Sequence, residues 1–535
     1  MNIDYNQHYT LVLHALSYFK GLEMNHCKYA AKLPLGLLPL CWLFGIMLSY
    51  TCYANQTSLK KNIQAKDYIT QSDYITAQNL DSKNTKNTSK NISIYDAWQD
   101  VLRNNQGIKA QYLNTQNMEK LNLAAKLSYL PQIDLNALYL HLGNKIQIDL
   151  IHDRAQYNKV LQDAQNLAGQ GGQMGGQLVS LLQFYGTPIT LLEQDVVVGA
   201  LNILYPLYTG GARYYGNKLA KVALKDSYQA LRLKELAAFE ELVTIYYSVV
   251  LAKETLNALQ STEESTLKHY ENSKKLHRLG QIADIELLGA QVAYDKAKNQ
   301  RRSAENALDI AKFTLDSILQ TTDSNPTSLL AINPNLELKS FEYYKEATLK
   351  TYPALQIAHN KITMADYTKR LELGRFTPKI GAFASFMVTD NRSKMEQMMP
   401  NWYAGVAARW TLLSPQGRLQ KYQGAKIMQM QASALEIEAV QKMELLVKTT
   451  YKQIKLYKES YEALDSSIAL AKENLRLKER AFSQGLVTND SVVDARNALD
   501  SVIVEQKGVA YKMIVAFAKL QALSDDLDTF FAIQK

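Results

Sequence analysis

The sequence predicts an α+β membrane protein built from two tandem helix–strand–strand–helix–helix repeats. Three observations carry that reading. A strand-to-helix transition is written twice, as "LYPLYTGGARYYGNKLAKVAL" (204–224) and "WTLLSPQGRLQKYQGAKIM" (410–428). Only 11 Pro and 24 Gly interrupt 535 residues, which favours long uninterrupted elements. The run from Trp402 to Thr411 alternates strictly, with Trp402, Ala404, Val406, Ala408 and Trp410 on one apolar face.

The chain opens with what reads as an export signal over residues 1–54, with Met24 as an alternative start. "MNHCKYAAK" is a short basic region and "LPLGLLPLCWLFGIMLSY" an apolar core. Cys52 and Ala54 are small residues suited to signal-peptidase cleavage. A transmembrane anchor is one alternative. A lipoprotein signal with Cys52 lipidated is another, although Ser49-Tyr50-Thr51 fits a lipobox poorly. All three cysteines (Cys27, Cys41, Cys52) lie in this segment, so cleavage after Ala54 leaves neither thiolate chemistry nor disulfides. Residues 55–92 are polar and rich in Asn, Ser, Thr and Lys, the composition of a disordered lead-in. The net charge of +9 falls by one without residues 1–54 and is spread thinly, which does not point to nucleic acid. Nothing after Ala54 approaches the ~18 apolar residues of a membrane helix.

The repeats follow in order. "LRNNQGIKA" (102–110) matches "LKTYPALQI" (349–357), and "YLPQIDLNA" (129–137) matches "FTPKIGAFA" (376–384), both at an offset of 247. "LGQIADIELLGAQVAYDKA" (279–297) matches "QGLVTNDSVVDARNALDSV" (484–502) at 205, the offset that also relates Arg213 to Arg418. The difference, 247 − 205 = 42, places 42 extra residues in the first copy, in a loop at about 143–190. The first repeat then covers 93–325 and the second 326–535. The insertion's Gly/Gln-rich middle suggests mobility.

A helix over 213–279 or 418–484 would span ~100 Å at 1.5 Å per residue. Helices over 106–129 and 283–322 would span roughly 36 and 60 Å, so two short helices stacked end to end can flank one long one. Ala223, Ala230 and Ala237 recur every seven residues beside Val222, Leu236, Val243 and Val250, a seam for close coiled-coil packing. Eight strand residues give about 27 Å, or roughly 20 Å of height when tilted ~40°, close to the band of a membrane β-barrel. Trp402 and Trp410 would girdle it. In the partner strand, Ile380, Ala382, Ala384, Phe386 and Val388 share a face. Four strands cannot close a barrel, so the chain must oligomerise.

Taken together, "PLYTGGAR", the "YLPQI" and "FTPKI" junctions, and the turns "RLGQIADIELLGAQ" and "QGLVTNDSVVDAR" resemble the outer membrane efflux protein family, the TolC-like channels. The resemblance covers about residues 93–527. It implies a homotrimer: a twelve-stranded barrel in outer-membrane lipid, continued by a periplasmic α-barrel. It also implies an exit duct of a tripartite efflux or type I secretion system, with a periplasmic adaptor and an inner-membrane pump of RND or ABC type as partners. The stretch "LLSPQGR" departs from the family's usual Gly-Gly run, and Ser491 replaces a carboxylate common in its inner turn.

Within that frame, Gly210, Gly211, Arg213, Gly417 and Arg418 are the expected strand–helix junctions. The two arginines otherwise read as ordinary solvated helix starts. Leu279, Gly280, Gln281, Gln484, Gly485 and Leu486 are the expected adaptor-contact tips. Glu286, Asp490 and Asp494 follow the turns and, if they face the lumen, form a cation-selective periplasmic gate. The competing reading assigns Asp490 and Asp284 to helix-dipole stabilisation. A periplasmic coiled-coil adaptor is the alternative function. An enzyme is not expected: the mature histidines (His141, His152, His269, His277, His359) form no metal-spaced pair, and no nucleophile elbow, P-loop or dinucleotide fingerprint occurs. No cofactor and no metal are expected.

Overall fold

A computed structural model of the protein describes residues 90–169, 173–330, 337–389 and 400–534. The predicted export signal and the lead-in through residue 89 lie outside the described residues.

The short helices begin at strong caps. Helix α1 (Ile94–Asn104) starts where Ser93 Oγ accepts the Asp96 N–H, and α2 (Gln106–Leu127) where Asn105 Oδ1 accepts from Gly107 and Ile108. Asn105 thus ends one helix and begins the next. The same break recurs 352 − 105 = 247 residues later. There Tyr352 separates α7 (Phe341–Thr351) from α8 (Pro353–Gly374), and Pro353 takes the first helical position.

Helices α5 (Ala212–Arg278) and α9 (Arg418–Ser483) run unbroken for 67 and 66 residues. Their partners α6 (Asp284–Leu319) and α10 (Asn489–Leu523) have 36 and 35. Antiparallel stacking along α5 is explicit. Asn217 Nδ2 donates to the Ala125 carbonyl at 2.8 Å and Thr115 Oγ1 to that of Ser227 at 3.2 Å, so α2 lies along the start of α5. Arg301 then pairs with Glu263 at 2.8 Å, so α6 lies along its end. Helix α8 packs against both α5 and α9.

The main core sits where α2 gives way to α6. Leu236, Phe239, Leu242, Val243, Tyr246 and Tyr247 of α5 meet Trp98 of α1, Leu315 and Leu319 of α6, Met513 and Phe517 of α10, and Phe530 and Phe531 of α11 (Leu527–Gln534). Phe239 takes edge-on contacts from Trp98, Phe530 and Phe531 at 5.3–5.6 Å. Of the predicted heptad seam, Leu236, Val243 and Val250 are buried here, Ala223 and Ala230 are half-buried, and Ala237 is exposed in the single chain.

Strands β2 (Gln132–His141), β5 (Asp195–Tyr208), β7 (Lys379–Thr389) and β8 (Trp402–Arg409) form one antiparallel sheet in the order β2-β5-β7-β8. Two expectations need correction. Lys90–Ile92 is not part of a disordered lead-in: it forms β1, paired in parallel with β6 (Ser324–Pro326). Its order comes from that distant partner, since Ile92 is buried and its carbonyl accepts from Thr327 N–H and Tyr246 Oη. The insertion is also more than a loop. It holds β3 (Ile146–Ile148), α3 (Arg154–Gly169), α4 (Gln173–Gly186) and β4 (Ile189–Leu192), with β3 paired to β4. Arg154 ties it together, bonding the Gly186 carbonyl at 2.8 Å and Asp149 at 2.7 Å.

Candidate functional site

The sheet has two chemically different faces. Ladder pairings align Ile133 with Ile203, Ile203 with Ala384, and Ala384 with Ala404. Alternation from these positions gives one face made of Ile133, Leu135, Ala137 and Tyr139 in β2 and of Val197, Gly199, Leu201, Ile203 and Tyr205 in β5. Ile380, Ala382, Ala384, Phe386 and Val388 continue it in β7, and Trp402, Ala404, Val406 and Ala408 in β8. No position between these ends is charged; at the far end of β2 and β5 the face finishes on His141 and Asp195, 2.6 Å apart, and Tyr139 Oη donates to the same carboxylate. This face is bare in the single chain, with Leu135 80% exposed and Trp402 58%. The opposite face carries Gln132, Asp134, Asn136, Asn202, Lys379, Ser385 and Arg409, and Ser385 Oγ donates to Asn202 Oδ1 there at 2.8 Å. Trp410 stands just past β8, and its indole N–H donates to the Phe376 carbonyl at 3.0 Å.

Each long helix leaves the sheet through a clamp. Gly210 (φ +66°), Gly211 (φ +79°) and Gly417 (φ +65°) take left-handed conformations that turn the chain. Arg213 donates to the Pro206 carbonyl at 2.7 Å and lies over the rings of Tyr129 and Tyr205. Arg418 donates to the carbonyls of Leu412 and Arg375 at 2.9 Å each and lies over Phe376. Arg213 therefore binds the end of β5 and Arg418 the connections that follow β8 and precede β7, and each stacks on the aromatic residue that precedes a strand, rather than standing free at a helix start. Gly210 also touches Gly374 backbone to backbone: a Cβ on Gly374 would stand 1.8 Å from the Gly210 carbonyl oxygen.

The far ends of the long helices are two matching turns. Gln281 N–H bonds the Leu276 carbonyl and Gly280 N–H that of His277. Leu486 and Gly485 repeat this with Ala481 and Phe482, each at 2.9 Å. These are Schellman endings, and Gly280 (φ +70°) and Gly485 (φ +72°) supply the left-handed residue. Gln281 and Gln484 are exposed, as are Leu279 at 71% and Leu486 at 72%.

The three expected gate carboxylates have different surroundings. Asp490 and Asp494 are exposed. Glu286 is half-buried, and its Oε2 accepts the backbone N–H of Asn489 at 2.7 Å. It thereby caps the first turn of α10 from the neighbouring hairpin, a charge placed on a helix N-terminus. Asp284 is taken by His277 at 2.5 Å.

Sequence reasoning missed Asn489, Gly289 and His269 at this point. Asn489 is 1% exposed, its Oδ1 meets His269 Nε2, and its Nδ2 has no hydrogen-bond partner. A Cβ on Gly289 would lie 2.9 Å from that Nδ2, so the glycine makes room for the amide. His269 also packs on Phe482 at 4.8 Å. The two hairpins are thus joined by a small polar knot around the buried Asn489. The only sequence signal was a glycine inside an otherwise regular helix. Gly374 was missed too; Tyr129 and Phe376, which open the matched "YLPQI" and "FTPKI" junctions, turn out to be the rings on which the two arginines stack.

Among the described residues no His, Cys, Asp or Glu cluster could hold a metal, and no helix is long and apolar enough to cross a membrane. The profile of the outer membrane efflux protein family matches residues 191–320 and 346–524. The alkaline protease secretion protein AprF of Pseudomonas aeruginosa is 20% identical over 345 residues, 63% of this chain and 71% of AprF. The solved structure of CusC aligns with a TM-score of 0.65 at 13% identity, covering 80% of this chain and 91% of CusC. The open-state outer membrane channel MtrE of Neisseria gonorrhoeae aligns at 0.61 and 15%, covering 81% and 89%. The structural likenesses speak for the fold, and the profile, which spans more than half of the chain, for the family. The chain is an outer-membrane channel reaching into the periplasm, and it belongs to the outer membrane efflux protein family.

Proposed function

We propose that three copies of this chain close a twelve-stranded barrel through the outer membrane and continue it as a helical conduit, the exit duct of a tripartite export system. One observation carries the reading: a four-stranded sheet with one face apolar from Ile133 to Tyr139 and across β5, β7 and β8, ending at the paired His141 and Asp195, and with β2 and β8 as its two edges. An open edge in lipid leaves backbone groups without partners, so the edges must meet those of other copies. The Schellman-ended tips expose Leu279 and Leu486 as contacts for a periplasmic adaptor, which links the duct to an inner-membrane pump. Members of this family work with such adaptors and pumps. AprF is named for alkaline protease secretion, and that favours a polypeptide as cargo. The role is conduction rather than catalysis.

At the tips we assign Asp490 and Asp494 to the lumen and Glu286 to holding the hairpins together. Three copies place like charges at each level, which attracts cations into the constriction. Outer-membrane fractionation followed by gel migration without heating tests the assembly. A trimer that heating dissociates is expected; a monomer in the soluble periplasmic fraction would refute the duct and favour an adaptor.

A further inference from the structure

The two offsets that relate the halves of the chain also relate its strand pairings. Gln132 pairs with Leu204 across β2 and β5. Adding 247 to the first and 205 to the second gives Lys379 and Arg409, which pair across β7 and β8. One operator therefore carries the first hairpin onto the second without a slip.

The same operator acts on the pairing between the halves. In β5 and β7, Asn202 pairs with Ser385 and Leu204 with Phe383. Adding 205 to the β5 residue and subtracting 247 from the β7 residue takes these pairs to Ala407 with Leu138, and to Arg409 with Asn136. Both β8 and β2 are edges of the single chain, so these partners must belong to two copies. We infer that β8 of one copy pairs with β2 of the next in this register, with Arg409 opposite Asn136 and diagonal to Asp134 of the second copy. The inference rests on the proposed barrel and fixes how its seams are built.

Three observations agree. The operator places apolar face against apolar face, whereas a slip of one residue would set polar against apolar. It sets Trp410 opposite Leu135 and Val406 opposite Tyr139, four of the most exposed apolar side chains of the sheet region. It also gives Arg409 a partner. Arg409 is exposed, faces Lys379 across the ladder, and forms no ion pair or hydrogen bond among the described residues. Like charges directly opposite are unfavourable. An amide opposite Arg409 and a carboxylate on the diagonal, within reach of its long side chain, offset that cost.

Paired cysteines test the register in the full chain in outer membranes. Ala407→Cys with Leu138→Cys should cross-link copies under mild oxidation, because directly opposed positions lie about 4.5–5.5 Å apart. The pair shifted by two, Ala407→Cys with Asn136→Cys, should give at least about fivefold less product, since its diagonal separation is roughly 7–8 Å. Arg409→Asp should lower the temperature at which the oligomer dissociates, and Asp134→Arg added to it should recover part of the loss. Equal or stronger linking of the shifted pair would overturn the register while leaving the barrel standing. Should the first pair fail to assemble, Tyr403→Cys with Leu142→Cys reports the same register. Absence of any heat-dissociable oligomer in the unsubstituted protein would overturn the barrel and the register together.

Discussion

Glu286 offers the sharpest test of how the two hairpins hold together. Its carboxylate accepts the Asn489 N–H at 2.7 Å, and Asn489 is the first residue of α10. Separating the hairpins breaks this bond and uncaps that helix. Losing a side-chain cap typically costs about 1 kcal/mol, and a charge at a solvent-reached helix N-terminus adds about 0.3–1 kcal/mol. Removal should therefore cost roughly 1–2 kcal/mol per chain, and about 3–6 kcal/mol if three copies separate together. An equilibrium between joined and separated hairpins would shift by about 10²–10⁴. Glu286→Ala should raise the open fraction of single channels in planar bilayers. Glu286→Gln keeps an acceptor oxygen and loses the charge, so it should fall between Ala and the parent. Opening in Glu286→Ala no more frequent than in the parent, in channels that otherwise conduct normally, would refute the cap. A large loss of cation selectivity in Glu286→Gln without any change in opening would return Glu286 to the lumen.

Asp494→Asn, at an exposed carboxylate outside the knot, should lower cation selectivity with little change in opening, measured by reversal potential in a salt gradient. Gly374→Ala should weaken thermal resistance of the assembly by about 1–3 kcal/mol per chain, because the neighbouring atom is backbone and cannot step aside. Gly424→Ala, with no neighbour within 4 Å on the long helix α9, should stabilise instead by about 0.5–1 kcal/mol. Burial pushes the Glu240 carboxyl above its ordinary 4.5, partly offset by Lys519. The folded state then holds the proton more tightly than the unfolded one, so stability declines as pH rises from about 4.5 through the folded value. Denaturation midpoints across that window should decline less steeply in Glu240→Gln; an unchanged slope would show that Glu240 is not responsible. Deleting residues 150–185, which removes α3 and α4, should leave assembly intact, because those helices pack on each other. Loss of the protein from outer membranes would show that the insertion is structural.

What could be read from the sequence was what repeats locally. The long helices begin and end within a residue of expectation, because an unbroken helical pattern between left-handed glycines admits few other boundaries. The strand faces were legible from alternation alone. What escaped was set by distant partners. Lys90–Ile92 gains its order from residues 324–326, and nothing in a polar stretch announces that. Glu286 and Asn489 lie 489 − 286 = 203 residues apart, and each reads locally as an ordinary helix-start residue. The insertion's helices and strands escaped because Arg154 and the β3–β4 pairing join its two ends, and neither has a short-range signature.

The central core has a consequence for how the chain is made. Phe239 is sealed by Trp98 on one side and by Phe530 and Phe531 on the other. Ile92, in the same core, precedes Phe530 by 438 residues. A chain that emerges from its N-terminal side can form its first hairpin early, yet the waist stays open until α11 is delivered. Until then Phe239 lacks two of the three rings that pack edge-on around it. A chain that ends before Leu527 leaves Phe239 without those two rings, and its limited proteolysis should run faster than that of the full chain.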